Sequence, residues 1–176
     1  MATTYLVVEN GTGLPNSNTY VDLGYANSYN TRRGISACFA LDVNQQELAL
    51  MNAALALDTR YGTMYKGLLM TQAQAMLFPR TAFVSSTGRQ INQGAIPDIL
   101  RNAQCEFAVM WVNQINLFDD PNRATVGVKQ LSSEVDVVKE STTWFAPKGS
   151  ATYAQGQIML LPLLNVMTNM ATAVRG

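Results

Sequence analysis

The chain of 176 residues contains no histidine, only two cysteines, and just 14% charged residues. Each shortage removes a class of chemistry. Without histidine, a serine or cysteine nucleophile has no imidazole base, and a zinc site lacks its usual nitrogen ligand. Cys38 and Cys105 show neither metal-ligand nor C-x-x-C spacing, so they read as free, buried thiols suited to a reducing compartment. Twelve basic residues balance twelve acidic ones and are scattered singly, which leaves no basic stripe for a phosphate backbone. Met1 to Tyr5 has neither the positive nor the apolar region of an export signal. The uncharged run from Ser150 to Val174 is interrupted by Gln155, Gln157, Pro162, Asn165, Thr168 and Asn169. Its continuous apolar part, Ile158 to Leu164, is far shorter than the ~18 residues of a membrane span. The sequence therefore implies no catalytic residue, no cofactor, no metal and no membrane partner. Charge well below the ~25% typical of soluble domains implies a surface partly covered by protein, as in a self-associating subunit.

What is present points to a mainly α fold: a compact helical domain of about four helices with a protruding β-hairpin and a C-terminal docking segment. Residues 1–122 form the helical core with an N-terminal strand and loop, 123–143 the hairpin arm, and 144–176 the docking tail. Tyr5 to Val8 reads as a short strand, followed by a loop through Gly11, Gly13, Pro15 and Asn16. Asp22 caps a first helix that runs to about Arg33 and stops at Gly34. Asn44, with Glu47 three residues on, opens a second helix whose inner stripe is Leu48, Met51, Leu55 and Asp58, ending at Gly62. Thr71 opens a short third helix with Ala73, Met76 and Leu77, stopped by Pro79. A loop with Gly and Ser follows. Pro97 and Asp98 start the longest helix, with Ile99, Leu100, Ala103, Phe107, Met110 and Trp111 inward, to about Leu117. Val126 and Val128, then Val135 and Val137, alternate with other residues around Ser132-Ser133 and read as a hairpin whose valines make contacts.

Several motifs invite chemistry. Gly11-Thr12-Gly13 has the look of a phosphate loop, but Asn16 stands where the third glycine should be, so a turn is the better reading. Asp119-Asp120 precedes Pro121 at a helix end and reads as turn-forming. Asp58 on an apolar stripe needs a partner, and Arg80 after the Pro79 stop is the expected one, in a structural ion pair. Met51, Met76, Met110 and Trp111 read as core. Ile158, Leu160, Leu161, Leu163, Leu164, Met167 and Met170 lie in the uncharged tail, and they read as an intermolecular contact outside the monomer's core.

The stretch Val8-Glu9-Asn10-Gly11-Thr12-Gly13-Leu14-Pro15-Asn16-Ser17-Asn18-Thr19-Tyr20-Val21, with Ala26, Tyr29 and Gly34, resembles the opening of the phage DnaT-like domain family. Ala53 to Asp58 matches the family's Leu-Asp helix end, and Gly67 its glycine before the third helix. Gln74-Ala75-Met76-Leu77-Phe78-Pro79-Arg80 matches its Gln-x-x-Leu-Trp-Pro-Arg signature, with Phe78 for tryptophan and Phe39 near another usual tryptophan. Ile96-Pro97, Ala103, Glu106 and Ala108 match its last core helix. Members of this group lie among phage head-morphogenesis genes and are similar to helical head-tail connectors. The resemblance implies a head-tail adaptor of the virion, made in the host cytoplasm, forming a homo-oligomeric, dodecameric ring beneath the portal. Its tail would dock on the portal or a neighbouring subunit, and its hairpin would meet a neighbour or the downstream tail or neck protein. DNA would pass through the channel without specific binding. The family's label implies a rival function, single-stranded DNA binding; another tail or neck component is a third.

Overall fold

The computed structural model describes residues 5–36, 41–118 and 154–165. The hairpin arm expected at 123–143, with Val126, Val128, Val135 and Val137, lies outside the described residues, as do Cys38, Asp119, Asp120, Met167 and Met170. The described part is mainly α, with four helices and one two-stranded antiparallel sheet. No described helix is long and apolar enough to cross a membrane.

Helix α1 (Leu23–Arg32) starts where expected, because the Asp22 carboxylate accepts the Tyr25 N–H at 2.6 Å. It ends before Gly34, whose φ of +68° is the left-handed stop read from the sequence. Helix α2 (Val43–Tyr61) starts at Asp42 and not at Asn44, since Asp42 accepts the Gln45 N–H at 2.9 Å. Its inner face also differs from the expected stripe. Ala49, Leu50, Ala53, Ala54, Ala56 and Leu57 are buried, while Leu48 and Leu55 are 44% and 57% exposed. A face of alanines permits close approach to the next helix, so the alanines turn inward with Leu50 and Leu57, while Leu48 and Leu55 face out. Helix α3 (Asp98–Val112) follows Pro97 as expected and is the centre of the fold, packing against both α2 and α4 (Ala154–Leu160).

Between α2 and α3 two expectations fail. Residues 71–80 form no helix; Gln74 has taken over the backbone groups that a helix would use. Its side-chain oxygen accepts the Thr71 N–H at 2.9 Å, and its amide donates to the carbonyls of Met76 and Pro79 at 2.7 and 3.0 Å. The following loop contains the observed hairpin, β1 (Phe83–Val84) and β2 (Gln90–Ile91), paired Phe83 to Ile91.

The tail is also placed differently. Leu160, Leu163 and Leu164 are at most 2% exposed and belong to the core, with a 3-10 turn at Leu161–Leu163 containing Pro162. Leu164 bridges Tyr65, and the Leu163 carbonyl accepts the Lys66 N–H at 2.9 Å. A lack of charge suits a core as well as an interface, and here the core has it.

Candidate functional site

Family-like residues of the first half converge on one polar clasp. Tyr20 is buried against Phe78 in an edge-on ring contact, and Phe78 meets Tyr65 in the same manner at 5.0 Å. The Tyr20 hydroxyl donates to Asp58 at 2.6 Å and accepts the Phe78 N–H at 3.2 Å. Asp58 also accepts the Leu77 N–H at 2.9 Å. Arg80 donates to the Leu77 carbonyl at 3.1 Å and, through two nitrogens, to the Gly67 carbonyl at 3.2 and 2.9 Å. The expected ion pair between Asp58 and Arg80 is therefore not a direct one. The two groups bracket Leu77, one on its N–H and one on its C=O; the Tyr20 hydroxyl completes the partners of Asp58 and the Gly67 carbonyl those of Arg80. Gly67 has a φ of +75°, and a Cβ there would stand 2.9 Å from the Thr81 carbonyl oxygen, so only glycine presents this carbonyl to Arg80 without strain.

Burial pushes the Asp58 carboxyl up from 3.8 to about 6, against the opposing pull of Tyr20, Leu77 and Arg80. Because the folded value is the higher one, the native protein binds this proton more tightly than the unfolded chain. The resulting stability is fully present below about 3.8 and is lost as pH rises through about 6. Acidifying from about pH 7 to about pH 5 is expected to stabilise the wild type by up to about 1 kcal/mol relative to Asp58→Asn. Urea unfolding of both proteins at the two pH values checks this; equal changes in both would refute it.

The glycine loop is a second constellation. Glu9 is buried, and its carboxylate accepts the N–H groups of Gly11, Gly13 and Leu14 at 2.9, 3.0 and 2.9 Å and the Ser17 hydroxyl at 2.9 Å. These donors form a nest of the kind that cradles anions, and the chain fills it with its own carboxylate. The turn reading holds, and the missed element is its anion.

Among the described residues, three further surfaces could receive another molecule, besides a cleft of about 430 Å³ beside the glycine loop. The first is a groove of about 470 Å³ between the start of α2 and the end of α3, lined by Leu41, Leu48, Trp111, Val112, Ile115 and Phe118. The second is the outer side of α4 and its 3-10 turn, where Ile158 is 62% and Leu161 41% exposed. Of the tail residues expected to make contacts, only these two are both described and exposed. The third is a cleft of about 390 Å³ lined by Tyr25, Tyr29, Arg32, Arg33, Asp98 and Asn102. Next to it Arg101 lies 4.8 Å above the Tyr25 ring and pairs with Asp98, while Arg33 pairs with Glu106 at 3.1 Å. Glu106 also accepts the Tyr29 hydroxyl at 2.7 Å, and the Tyr25 hydroxyl donates to Asn102 at 2.8 Å. The sequence gives no sign of the groove, because Leu48 and Trp111 both read as inward-facing residues of their helices. Arg101 is about 70 residues from the adjacent Arg32 and Arg33, so their approach leaves no local signal.

These surfaces define a small, mainly helical domain with two apolar faces and one cleft of mixed charge. Residues 4–176 match the family described as Putative DnaT-like ssDNA binding protein, and the chain belongs to that family. No curated protein and no solved structure matches the chain. The family description names single-stranded DNA binding, the rival among the expected functions, and says nothing of connector rings.

Proposed function

We propose that the chain is a structural, non-catalytic subunit of a phage virion that works as a head-tail adaptor in a homo-oligomeric ring. The observation that supports this reading is the pair of separate apolar faces, the α2–α3 groove and the Ile158–Leu161 face, on a chain with so little charge. Contiguous exposed apolar surface on a soluble domain marks a protein contact. Two unlike faces on one subunit fit a ring, in which each copy meets a different surface on either neighbour. Ring closure then adds many modest contacts to a portal of matching symmetry. The test is a deletion of the gene in its phage: DNA-filled heads and free tails are expected, with the chain found by mass spectrometry in wild-type particles. Normal particles from the deletion would overturn the reading.

A second reading, single-stranded DNA binding, draws on the family description and on the cleft with Arg32, Arg33, Arg101 and Tyr25, where cations stand beside aromatic rings. Against it, the three arginines face two carboxylates, Asp98 and Glu106, and two of the three are already paired. Little of their charge is left for phosphates. Binding of a labelled thymidine oligonucleotide is expected to be weaker than about 1 µM at moderate salt. Tighter, salt-sensitive binding that Arg32→Ala and Arg101→Ala abolish would promote this second reading.

A further inference from the structure

We propose that the groove between α2 and the end of α3 receives the α4 face, Ile158 and Leu161, of a second copy of this chain, joining subunits head to tail. The inference rests on the ring-subunit reading and names its contact. The groove fixes the chemistry of its occupant. Among the described residues its walls are apolar, and its polar lining is three amides, Gln45, Gln114 and Asn116, with no charged side chain to pair an incoming charge. A charged segment seated there would be desolvated without compensation, so the occupant is apolar and uncharged. This chain supplies such a segment. From Ser150 to Val174 it carries no charge, and within that run Ile158 and Leu161 project outward three residues apart on one face.

The element that carries the projecting pair is anchored in the core. Leu160, Leu163 and Leu164 anchor the element in the core, and Gly156 lies so close to Phe107 that a Cβ would stand 2.5 Å from the ring. Ordering this face therefore costs little at assembly. No residue of α4 lines the groove, so the two surfaces are distinct and the contact they make is heterologous. A heterologous contact repeats from copy to copy and closes only as a ring, whereas a self-complementary patch would stop at a dimer.

Full-length Leu48→Asp and Ile158→Asp chains test this by sedimentation and native mass spectrometry. Leu48→Asp spoils the groove and keeps the projecting face; Ile158→Asp does the reverse. Wild type is expected to assemble beyond a dimer, each variant alone to stay monomeric, and an equimolar mixture to give one-to-one dimers and nothing larger. A monomeric wild type at micromolar concentration, a mixture that stays monomeric, or a variant that assembles like wild type would each overturn the proposal. Both side chains are exposed, so melting close to wild type is expected. Should an aspartate variant fail to fold, Leu48→Ser and Ile158→Ser carry the same experiment. A chain found in the virion that fails the mixing test loses this interface and keeps the adaptor role. One that passes the test but is absent from virions keeps the interface and loses the role.

Discussion

A chain ending after Ala154 is expected not to fold. The truncation removes Leu160, Leu163 and Leu164, none more than 2% exposed, from a core they share with Phe107 and Tyr65. Replacing one such leucine by alanine typically costs about 2–5 kcal/mol, so three together approach the whole stability of a domain, about 5–15 kcal/mol. Backbone partners go as well: Lys66 N–H loses the Leu163 carbonyl, and Ser86 N–H the Pro162 carbonyl. Loss of a cooperative melt, with exposed apolar surface reported by dye binding, is the expected result. A chain ending after Asn165 retains all of the described core and is expected to melt cooperatively. A truncation after Ala154 that melts like wild type would show that the α4 packing contributes nothing to the fold. Leu160→Ala in the full chain, expected to cost about 3 kcal/mol in urea unfolding, separates packing from chain length.

The same residues show where sequence reading succeeds and where it stops. The starts of α1 and α3 are legible, with Asp22 capping one and Pro97 with Asp98 opening the other, because the determining chemistry lies within four residues; at α2 two cap-type residues, Asp42 and Asn44, lie two apart, and local sequence does not choose between them. Which face of a helix turns inward is not local. Leu48 and Leu55 form a better apolar stripe than the alanines of α2, yet the alanines are buried, because packing against α3 rewards close approach. Residues 71–77 have helical composition, but Gln74, the Leu14 carbonyl and Asp58 together claim the backbone groups that a helix would pair. Two of these three partners are distant in sequence.

The candidate site divides along the same line. Asp58 and Arg80 were legible as charges in need of partners, and both do lie at the junction of α2 with the segment after it. That they reach each other only through Leu77 depends on its backbone N–H and C=O, which carry no sequence signature. Ile158 and Leu161 stay exposed while Leu160 and Leu163 are buried. Composition marks all four as apolar and cannot sort them.

Glu9→Ala is expected to destabilise the protein by about 3 kcal/mol, because it leaves three backbone donors around a buried site without their acceptor, each worth roughly 1–3 kcal/mol when unpaired, with water recovering part, while the Ser17 hydroxyl can turn to the Leu14 carbonyl. The Gly11, Gly13 and Leu14 N–H groups and the Ser17 hydroxyl all point at this one carboxylate. The loop cannot relax freely to find other partners. A Cβ on Gly11 would stand 2.2 Å from the Gly94 carbonyl oxygen, so the turn is pressed against the segment that leads into α3. Thermal unfolding should show a fall of roughly 6–12 °C. Glu9→Gln is expected to cost less, since one oxygen can still accept from Gly11 and Gly13 while its amide nitrogen faces the Leu14 N–H. A second readout separates the nest from simple loss of packing. In Glu9→Ala the converging donors are free to take an external anion, so sulfate should raise its melting temperature more than that of wild type. Sulfate also stabilises proteins generally by exclusion from their surfaces, and the difference between the two proteins is therefore the measured quantity. Equal sulfate responses, or a Glu9→Ala protein as stable as wild type, would show that the loop is held by its glycines and contacts alone.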